Sequence, residues 1–478
     1  MNIPMIRYIL CQVMRIEGVL MLLPSLISII YGDGEGLYYG IVAGVLIISG
    51  FIGCHFVPKD QNINVKEGYT VTGLSWLVMS LFGCLPFWLS GEIDSFTDAF
   101  FETASGFTTT GASILNDIEA MSHTALFWRS FTHWIGGMGV LVFLLALIPM
   151  SGGSNINLMK AESPGPSVGK LVPKIRHSAL ILYVIYMIMT LLETVLLLFG
   201  GLNLFDAFCL AFGTAGTGGF AVKSDSFMSY SLYIRWVAGI FMFLFGCNFN
   251  VYYFLLMRQF KKAFCFEEVR TFLCIVLFST GVIFWQILPL YESGITAMTD
   301  AFFQVTSIVS TTGFCSADFD LWPTTSKYLL CFLMFMGACA GSTGGGIKVS
   351  RLMILWRSVV REVQSYIHPK IVKKITLDKK SVEPDVVKST HVFLATYSGI
   401  FLLSMFLVTF NNSDMTTSFT AVLACLNNIG PGLVQVGATC NYAFLSVLSK
   451  WVLILDMIAG RLELYPIIVL FAPSLYRK

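Results

Sequence analysis

The chain has 478 residues, of which 56% are hydrophobic and only 12% are charged, and its formal net charge is +2. Because a soluble domain carries about 25% charged residues, this composition excludes an ordinary water-soluble protein. The small net charge argues against a nucleic-acid partner. We therefore expect an all-α integral membrane protein.

Residues 1–58 contain two apolar spans, Met5–Tyr31 and Leu37–Val57. Each is long enough for a helix that crosses the bilayer, which needs about 20 apolar residues. Arg7 and Arg15 give the first span the charge pattern of a signal peptide, but no small-residue cleavage site follows. We therefore predict two retained amino-terminal transmembrane helices.

From residue 69 onwards one pattern recurs four times: an apolar span, a short apolar segment that ends at a glycine, and a second apolar span. Such internal repetition defines the architecture. The predicted repeats cover residues 69–150, 178–258, 271–362 and 390–478, with a cytoplasmic linker at 363–389. Together with the amino-terminal pair, the pattern predicts ten transmembrane helices.

The four short segments share a register. In each, the glycine follows the opening residue by 13 positions; the pairs are Asp98 and Gly111, Asp206 and Gly219, Asp300 and Gly313, and Thr417 and Gly430. The segments are too short to cross a bilayer, and irregular backbone at membrane depth is tolerated only where it lines protein or a cavity. We predict four half-helices, opened by these polar residues, that descend with their pore loops around one central pore.

The closing runs of these segments are candidate cation-binding sites. Small residues allow backbone carbonyls to approach an ion, and rings of carbonyls that replace its hydration shell are how potassium filters select. The candidates are Thr109, Thr110, Gly111, Thr217, Gly218, Gly219, Thr311, Thr312, Gly313, Asn428, Ile429 and Gly430. The alternative is four helix-breaking turns, but turns require no common register.

A glycine-rich run, residues 337–346, interrupts the second span of the third repeat. Each glycine costs a helix roughly 1 kcal/mol relative to alanine, so we predict a loop at membrane depth beneath the third filter. The loop residues that follow the break are Gly341, Ser342, Thr343, Gly344, Gly345 and Gly346. A phosphate-binding loop is excluded because Ile347 separates Gly346 from Lys348 and no strand precedes the run. A packing kink remains an alternative.

Arg461 lies inside the apolar second span of the fourth repeat, where a charge is expensive and normally faces a cavity or a partner. Glu463 and Asp456 are candidate partners in a structural ion pair. We expect Lys348 and Arg351 at the inner membrane boundary. His133 precedes a pair of glycines that indicate close packing, and we assign it no ligand role.

Besides the four filter segments, three motifs identify a resemblance: HWIGGMG at residues 133–139, GSTGGGIK at 341–348 and GRLE at 460–463. With them the chain resembles the TrkH/KtrB superfamily of potassium-uptake proteins, and more closely its TrkH branch, which has two additional amino-terminal helices. The resemblance implies potassium uptake through a K+-selective filter, with loop 337–346 as the gate and Arg461 as a charge barrier below the filter. It also implies a homodimer with a cytosolic TrkA-type nucleotide-binding regulatory subunit. The fourth filter, NNIGPG, departs from the threonine-rich pattern, so we expect no exact fourfold symmetry at that corner.

The sequence argues against an enzyme, since it has no nucleophile elbow, nucleotide fingerprint or His/Cys cluster with metal-ligand spacing. Lysine and arginine concentrate in loops on one side of the predicted spans, which places the amino terminus in the cytoplasm. The resemblance implies that the membrane is the cell (inner) membrane. The transported K+ ion is the only cofactor expected. The alternative function is a secondary carrier that couples K+ to H+ or Na+ by alternating access, which also uses broken helices.

Overall fold

The computed structural model describes residues 1–60, 62–139, 175–369, 374–411 and 413–473, with the backbone alone at 175–178. Within these ranges the chain folds into α-helices joined by short loops, with one two-stranded antiparallel sheet, β1 (Thr376–Leu377) and β2 (Lys380–Ser381). The expected all-α architecture is confirmed.

The amino-terminal pair consists of α1 (Ile3–Leu20) with α2 (Leu22–Tyr31), which form one interrupted span, and α3 (Gly36–His55). The helices α1 and α3 approach closely because glycine lies at their interface. A Cβ atom on Gly50 would lie 2.8 Å from the carbonyl oxygen of Cys11. Small residues at such a crossing let two membrane helices pack backbone to backbone.

Each of the four repeats contains a first span and a short pore helix, and in repeats 2, 3 and 4 the described second span is interrupted. Repeat 1 contains α4 (Val65–Gly83), α5 (Leu85–Ser90), the pore helix α6 (Phe96–Phe107) and α7 (His123–Gly137). Repeat 2 contains α8 (Ile175–Phe199), the pore helix α9 (Leu204–Gly216), α10 (Leu232–Gly246), α11 (Phe249–Leu256) and the short α12 (Phe260–Phe264). Repeat 3 contains α13 (Glu267–Ile287), the pore helix α14 (Gly294–Val309), α15 (Thr324–Phe335) and α16 (Val349–Ile367). Repeat 4 contains α17 (Pro384–Val408), the pore helix α18 (Met415–Leu426), α19 (Val447–Arg461) and α20 (Tyr465–Leu470).

Six helical spans in the described ranges are long and apolar enough to cross a membrane, or seven if the bent pair α10 and α11 counts as one span. Their outward faces are apolar: Ile29, Phe278 and Leu402 are each more than half exposed. Such continuous apolar surfaces fit a hydrocarbon solvent rather than water. The chain is thus a multi-pass membrane protein, and the count of ten helices remains a prediction because residues 140–150 lie outside the described ranges.

The second spans are interrupted more often than the sequence indicates. The expected break in repeat 3 is present, but repeat 2 also bends by 92° between α10 and α11. At that bend the Asn248 side chain caps α11 by accepting the Asn250 N–H at 2.9 Å. In repeat 4 the chain leaves the helix at Glu463 and Leu464, whose φ angles are +54° and +73°.

The pore helices also begin earlier than predicted. The residues that cap α6, α9 and α18 are Ser95, Asn203 and Asp414, each accepting an N–H of the first turn. The predicted openers Asp98, Asp206 and Thr417 are those first-turn donors, and Asp98 and Asp206 still face the positive end of the helix dipole. Asp300 lies inside α14, which begins at Gly294, and it pairs with Arg235 at 2.9 Å.

Candidate functional site

The closing runs of the four pore segments share one unusual backbone conformation. The residue two positions before each glycine adopts a positive φ, and so does the glycine itself. The φ values are 56° and 79° at Thr109 and Gly111, 54° and 82° at Thr217 and Gly219, 60° and 86° at Thr311 and Gly313, and 56° and 96° at Asn428 and Gly430. Alternation of the sign of φ turns successive carbonyls toward one side, whereas successive groups of a β-strand point to opposite sides.

The four segments form a closed ring, because each filter glycine lies against a carbonyl oxygen of the next repeat. A Cβ atom added to Gly111 would lie 2.1 Å from the oxygen of Gly218, one on Gly219 2.1 Å from that of Thr312, one on Gly313 1.8 Å from that of Ile429, and one on Gly430 2.7 Å from that of Thr110. The contacts run from repeat 1 to 2, 3, 4 and back to 1. This order places all the predicted filter residues around one centre.

Side chains of the pore helices support three of the four segments from behind. Each accepts the backbone N–H of the residue three positions after the filter glycine. The pairs are Glu102 and Ile114 at 2.9 Å, Gln304 and Ser316 at 3.1 Å, and Thr420 and Leu433 at 3.0 Å. These bonds hold the chain where it returns toward the surface. None of the three acceptors was predicted from the sequence, although they recur at similar offsets in the repeats.

A buried ion pair joins the first segment to the second. Arg129 of α7 donates to Glu102 of α6 at 2.6 Å, and both side chains are almost completely buried. Its guanidinium also donates to the carbonyl of Ala221 at 2.9 Å and lies 3.6 Å from the ring centre of Phe220. A buried pair is tolerated when further hydrogen bonds satisfy its charges, as they do here. The sequence analysis did not identify this pair.

The fourth corner differs from the others in its side chains, as the motif NNIGPG indicates. Asn428 donates to the hydroxyl of Thr110 at 3.0 Å and to the carbonyl of Met457 at 2.8 Å. In repeats 1 and 3 a pair of hydroxyls stabilises the same turn instead; the pairs are Thr108 with Thr110 at 2.8 Å and Ser310 with Thr312 at 2.7 Å. The turn of the fourth segment is therefore held by an amide side chain, whereas those of the first and third segments are held by hydroxyl pairs.

The glycine-rich loop, residues 337–346, lies directly against the inner ends of the third and fourth segments. Gly345 N–H donates to the hydroxyl of Thr311 at 2.7 Å. A Cβ atom on Gly344 would lie 2.8 Å from the carbonyl oxygen of Ser310, and one on Gly345 would lie 2.8 Å from that of Asn427. Only glycine permits this approach of loop and filter backbone.

Both ends of the loop are fixed. Gly337 N–H donates to the carbonyl of Ile347 at 2.7 Å, which joins the two ends to each other. The carboxylate of Glu268, on α13, accepts the backbone N–H groups of Ala340 at 2.7 Å and Ser350 at 3.0 Å. Beyond Gly341, the Ser342 N–H donates to the carbonyl of Cys339 at 3.3 Å, within the loop itself.

Arg461 connects the middle of the loop to repeat 1. Its guanidinium donates to the carbonyl of Thr343 at 2.6 Å and to those of Gly136 and Gly137 at 2.5 and 2.8 Å. The expected partner Glu463 pairs instead with Arg351. The other, Asp456, accepts from the hydroxyl of Ser404 at 2.7 Å.

Lys348 and Arg351 are both buried, with exposed fractions of 7% and 6%, and their position at the membrane boundary remains a prediction. Lys348 donates to the carbonyls of Gly344 and Gly345, the latter at 3.4 Å. Together with Arg461 it lines a cavity of about 150 Å³ bounded by the loop. Two cationic side chains therefore face the space beside the loop.

Comparison with known proteins gives consistent matches over the full length. The model of a family described as TrkH, cation transport protein, matches residues 41–476. The Trk system potassium uptake protein TrkH of Salmonella typhimurium is 35% identical over 468 residues, 96% of either chain. The protein of the same name from Halomonas elongata is 33% identical and covers 100% of both chains. The crystal structure of the potassium transporter TrkH from Vibrio parahaemolyticus superposes with a TM-score of 0.90 at 32% identity, again over 100% of both chains.

Proposed function

Because this chain belongs to the TrkH family of cation transport proteins, we propose that it takes up potassium across the membrane through the ring of four filter segments. The observation that carries the proposal is the closed order of contacts, in which every filter glycine meets a carbonyl oxygen of the next repeat. The ion ligands are the backbone carbonyls of the twelve filter residues, from Thr109 to Gly430.

This geometry favours a dehydrated potassium ion for a physical reason. An ion that leaves water must find replacement oxygens, and a ring of carbonyl dipoles supplies them without a net charge that would trap the ion. The support behind the segments, from Glu102, Gln304 and Thr420, resists collapse of the ring around a smaller ion. We therefore propose selection for K+ over Na+.

We further propose that loop 337–346 is the gate, with Gly341 to Gly346 and Arg461 as its working parts. The loop lies against the inner end of the ring, and Lys348 and Arg461 present two positive charges beside it. A cation that leaves the filter meets this charge in a region of low dielectric constant, where repulsion is strong. Conduction then requires the centre of the loop to move away from the ring.

Flux measurements on purified protein in liposomes test the proposal. We expect K+ and Rb+ to permeate and Na+ to be largely excluded, with no dependence on a pH gradient. Equal permeation of Na+ and K+ contradicts the selectivity. Uphill K+ uptake driven by a proton or sodium gradient, together with the absence of single-channel currents, would instead establish the coupled carrier.

The proposal extends to the setting of the protein: the inner membrane with a cytoplasmic amino terminus, a homodimer, and a cytosolic TrkA-type nucleotide-binding subunit. In support, the sequence contains no nucleotide fingerprint of its own, so nucleotide control would require a second protein. Crosslinking in membranes tests the dimer. Nucleotide-dependent co-purification with a candidate subunit tests the partner, and failure of both removes this part of the proposal.

A further inference from the structure

His133 of α7 is fully buried between the first pore helix and the second filter segment. Its Nδ1 lies 2.7 Å from the carbonyl oxygen of Gly106, and its Nε2 lies 3.2 Å from the backbone nitrogen of Phe220. A carbonyl only accepts a hydrogen bond and a backbone N–H only donates one, so Nδ1 carries the proton and Nε2 accepts. The ring thus joins the end of pore helix α6 to the residue directly after Gly219.

The second filter segment lacks a side chain that the others possess. The residue before the filter glycine is Thr110 in repeat 1, Thr312 in repeat 3 and Ile429 in repeat 4, but it is Gly218 in repeat 2. A Cβ atom on Gly218 would lie 2.3 Å from Cγ of His133 and 2.4 Å from its Nδ1. The imidazole therefore occupies the space in which a side chain of residue 218 would lie.

The missing side chain has a consequence for the backbone. In repeats 1 and 3 the threonine at this position is held by a hydroxyl two residues earlier, on Thr108 or Ser310. Gly218 has no such contact, and a glycine reaches backbone conformations that other residues avoid. The N–H of Gly218 donates to the carbonyl of Gly213 at 2.8 Å, which holds the peptide group before it. Without an external constraint, the peptide group after Gly218 could rotate and turn its carbonyl away from the ring centre.

We propose that His133 is a positioning residue of the filter, which replaces from a neighbouring helix the side chain that Gly218 lacks and fixes the carbonyls of the second segment. It blocks rotation at Gly218 by contact and holds the Phe220 N–H by its Nε2. The ring of Phe220 lies against the imidazole, with centroids 4.2 Å apart. This inference rests on the proposed function, since the property that His133 would control is the selectivity for K+ over Na+.

A role in helix packing alone is the competing explanation, because Gly136 and Gly137 on the same helix already make close contacts. A Cβ atom on Gly136 would lie 1.8 Å from the carbonyl oxygen of Phe107, and one on Gly137 would lie 2.7 Å from Cα of Gly216. Packing predicts that loss of the ring lowers stability and leaves the ratio of K+ to Na+ permeation unchanged. Positioning predicts that the ratio itself falls.

The test is a reciprocal rescue with three variants, His133→Ala, Gly218→Ala and the double variant, in liposomes that report K+ and Na+ flux. We expect H133A to reduce the K+/Na+ flux ratio about tenfold. This factor corresponds to the loss of one hydrogen bond whose net contribution lies at the upper end of the usual range. We expect G218A to be impaired as well, because its methyl group collides with the ring. The double variant, in which that methyl group fills the vacated space, should recover most of the wild-type ratio.

Size-exclusion chromatography shows whether H133A yields folded protein. If it does not, His133→Asn supplies a second measurement. It keeps a donor for Gly106 but is too short to reach Phe220, so its ratio should fall by a similar factor. A wild-type ratio in either histidine variant, or a double variant no better than the worse single one, overturns the inference. Wild-type protein that carries no K+ refutes the proposed function instead, and the two failures are thus distinguishable.

Discussion

A graded series of glycine substitutions tests the ring directly. Alanine at Gly111, Gly219, Gly313 or Gly430 introduces a side chain at a positive φ, between 79° and 96°. That conformation alone costs about 1–2 kcal/mol, which corresponds to roughly a tenfold change in an equilibrium. Because this backbone penalty is similar at the four positions, differences among them report the contact with the next repeat.

The contact distances predict the order of the effects. The added methyl group would lie 1.8 Å from the facing carbonyl oxygen at Gly313 and 2.1 Å at Gly111 and Gly219, but 2.7 Å at Gly430. Since a carbon atom needs more than about 3 Å of separation, G313A must displace the ring most and G430A least. We expect the K+/Na+ flux ratio in liposomes to fall by at least about tenfold in G313A and by less in G430A.

The control is Gly399→Ala, at an exposed helical position where an added Cβ atom has nothing within 4 Å. This variant should retain the wild-type flux ratio. The reasoning is refuted if G430A is more impaired than G313A, or if all four filter variants are as benign as G399A.

Three further substitutions probe the gate and its support. Thr311→Val removes the acceptor of the Gly345 N–H at 2.7 Å and should raise the single-channel open probability by up to about tenfold. Thr109→Val is the matched control, because that buried hydroxyl has no partner among the described residues. Equal effects of the two variants would contradict the role of Thr311 in holding the loop. Arg461→Gln removes the positive charge beside the loop and should increase K+ current, so an unchanged or lower current would refute the charge barrier. Asp300→Asn removes the negative charge paired with the partly buried Arg235 and should destabilise the protein by about 1–3 kcal/mol, because Arg235 keeps its bonds to the carbonyls of Phe227 and Tyr230. Thermal unfolding in detergent measures this, and an unchanged melting temperature would show that the pair is dispensable.

The architecture was predictable where a pattern recurs. The common offset of 13 residues between Asp98 and Gly111 and between their counterparts located the filter segments, because four copies of one backbone turn need glycine at one position. The run of glycines at 337–346 located the loop for the same reason. Both predictions depend on the conformational freedom of glycine, which is a local property of the sequence.

The interactions between residues far apart in the sequence were not predictable. Glu102 and Arg129 are 27 residues apart, and Lys450 and Asp98 are 352 apart, so no local rule relates the partners. Arg461 illustrates the difficulty: the sequence indicates a buried charge but suggests nearby acids as partners, whereas the guanidinium binds carbonyl oxygens of two distant segments. Carbonyl acceptors leave no mark in the sequence.

If loop 337–346 is the gate as proposed, its contacts predict which part of it moves. Its ends are held by backbone bonds to Ile347 and by the carboxylate of Glu268, all within repeat 3. Its centre is held by side chains: the hydroxyl of Thr311 in the filter, the ammonium group of Lys348 and the guanidinium of Arg461. Since a single hydrogen bond contributes only about 1 kcal/mol net, the centre can leave the ring while the ends stay fixed. Under the proposed gating mechanism, a subunit or ligand that shifts Arg461 by the length of one hydrogen bond would act on the centre of the loop without unfolding α15 or α16.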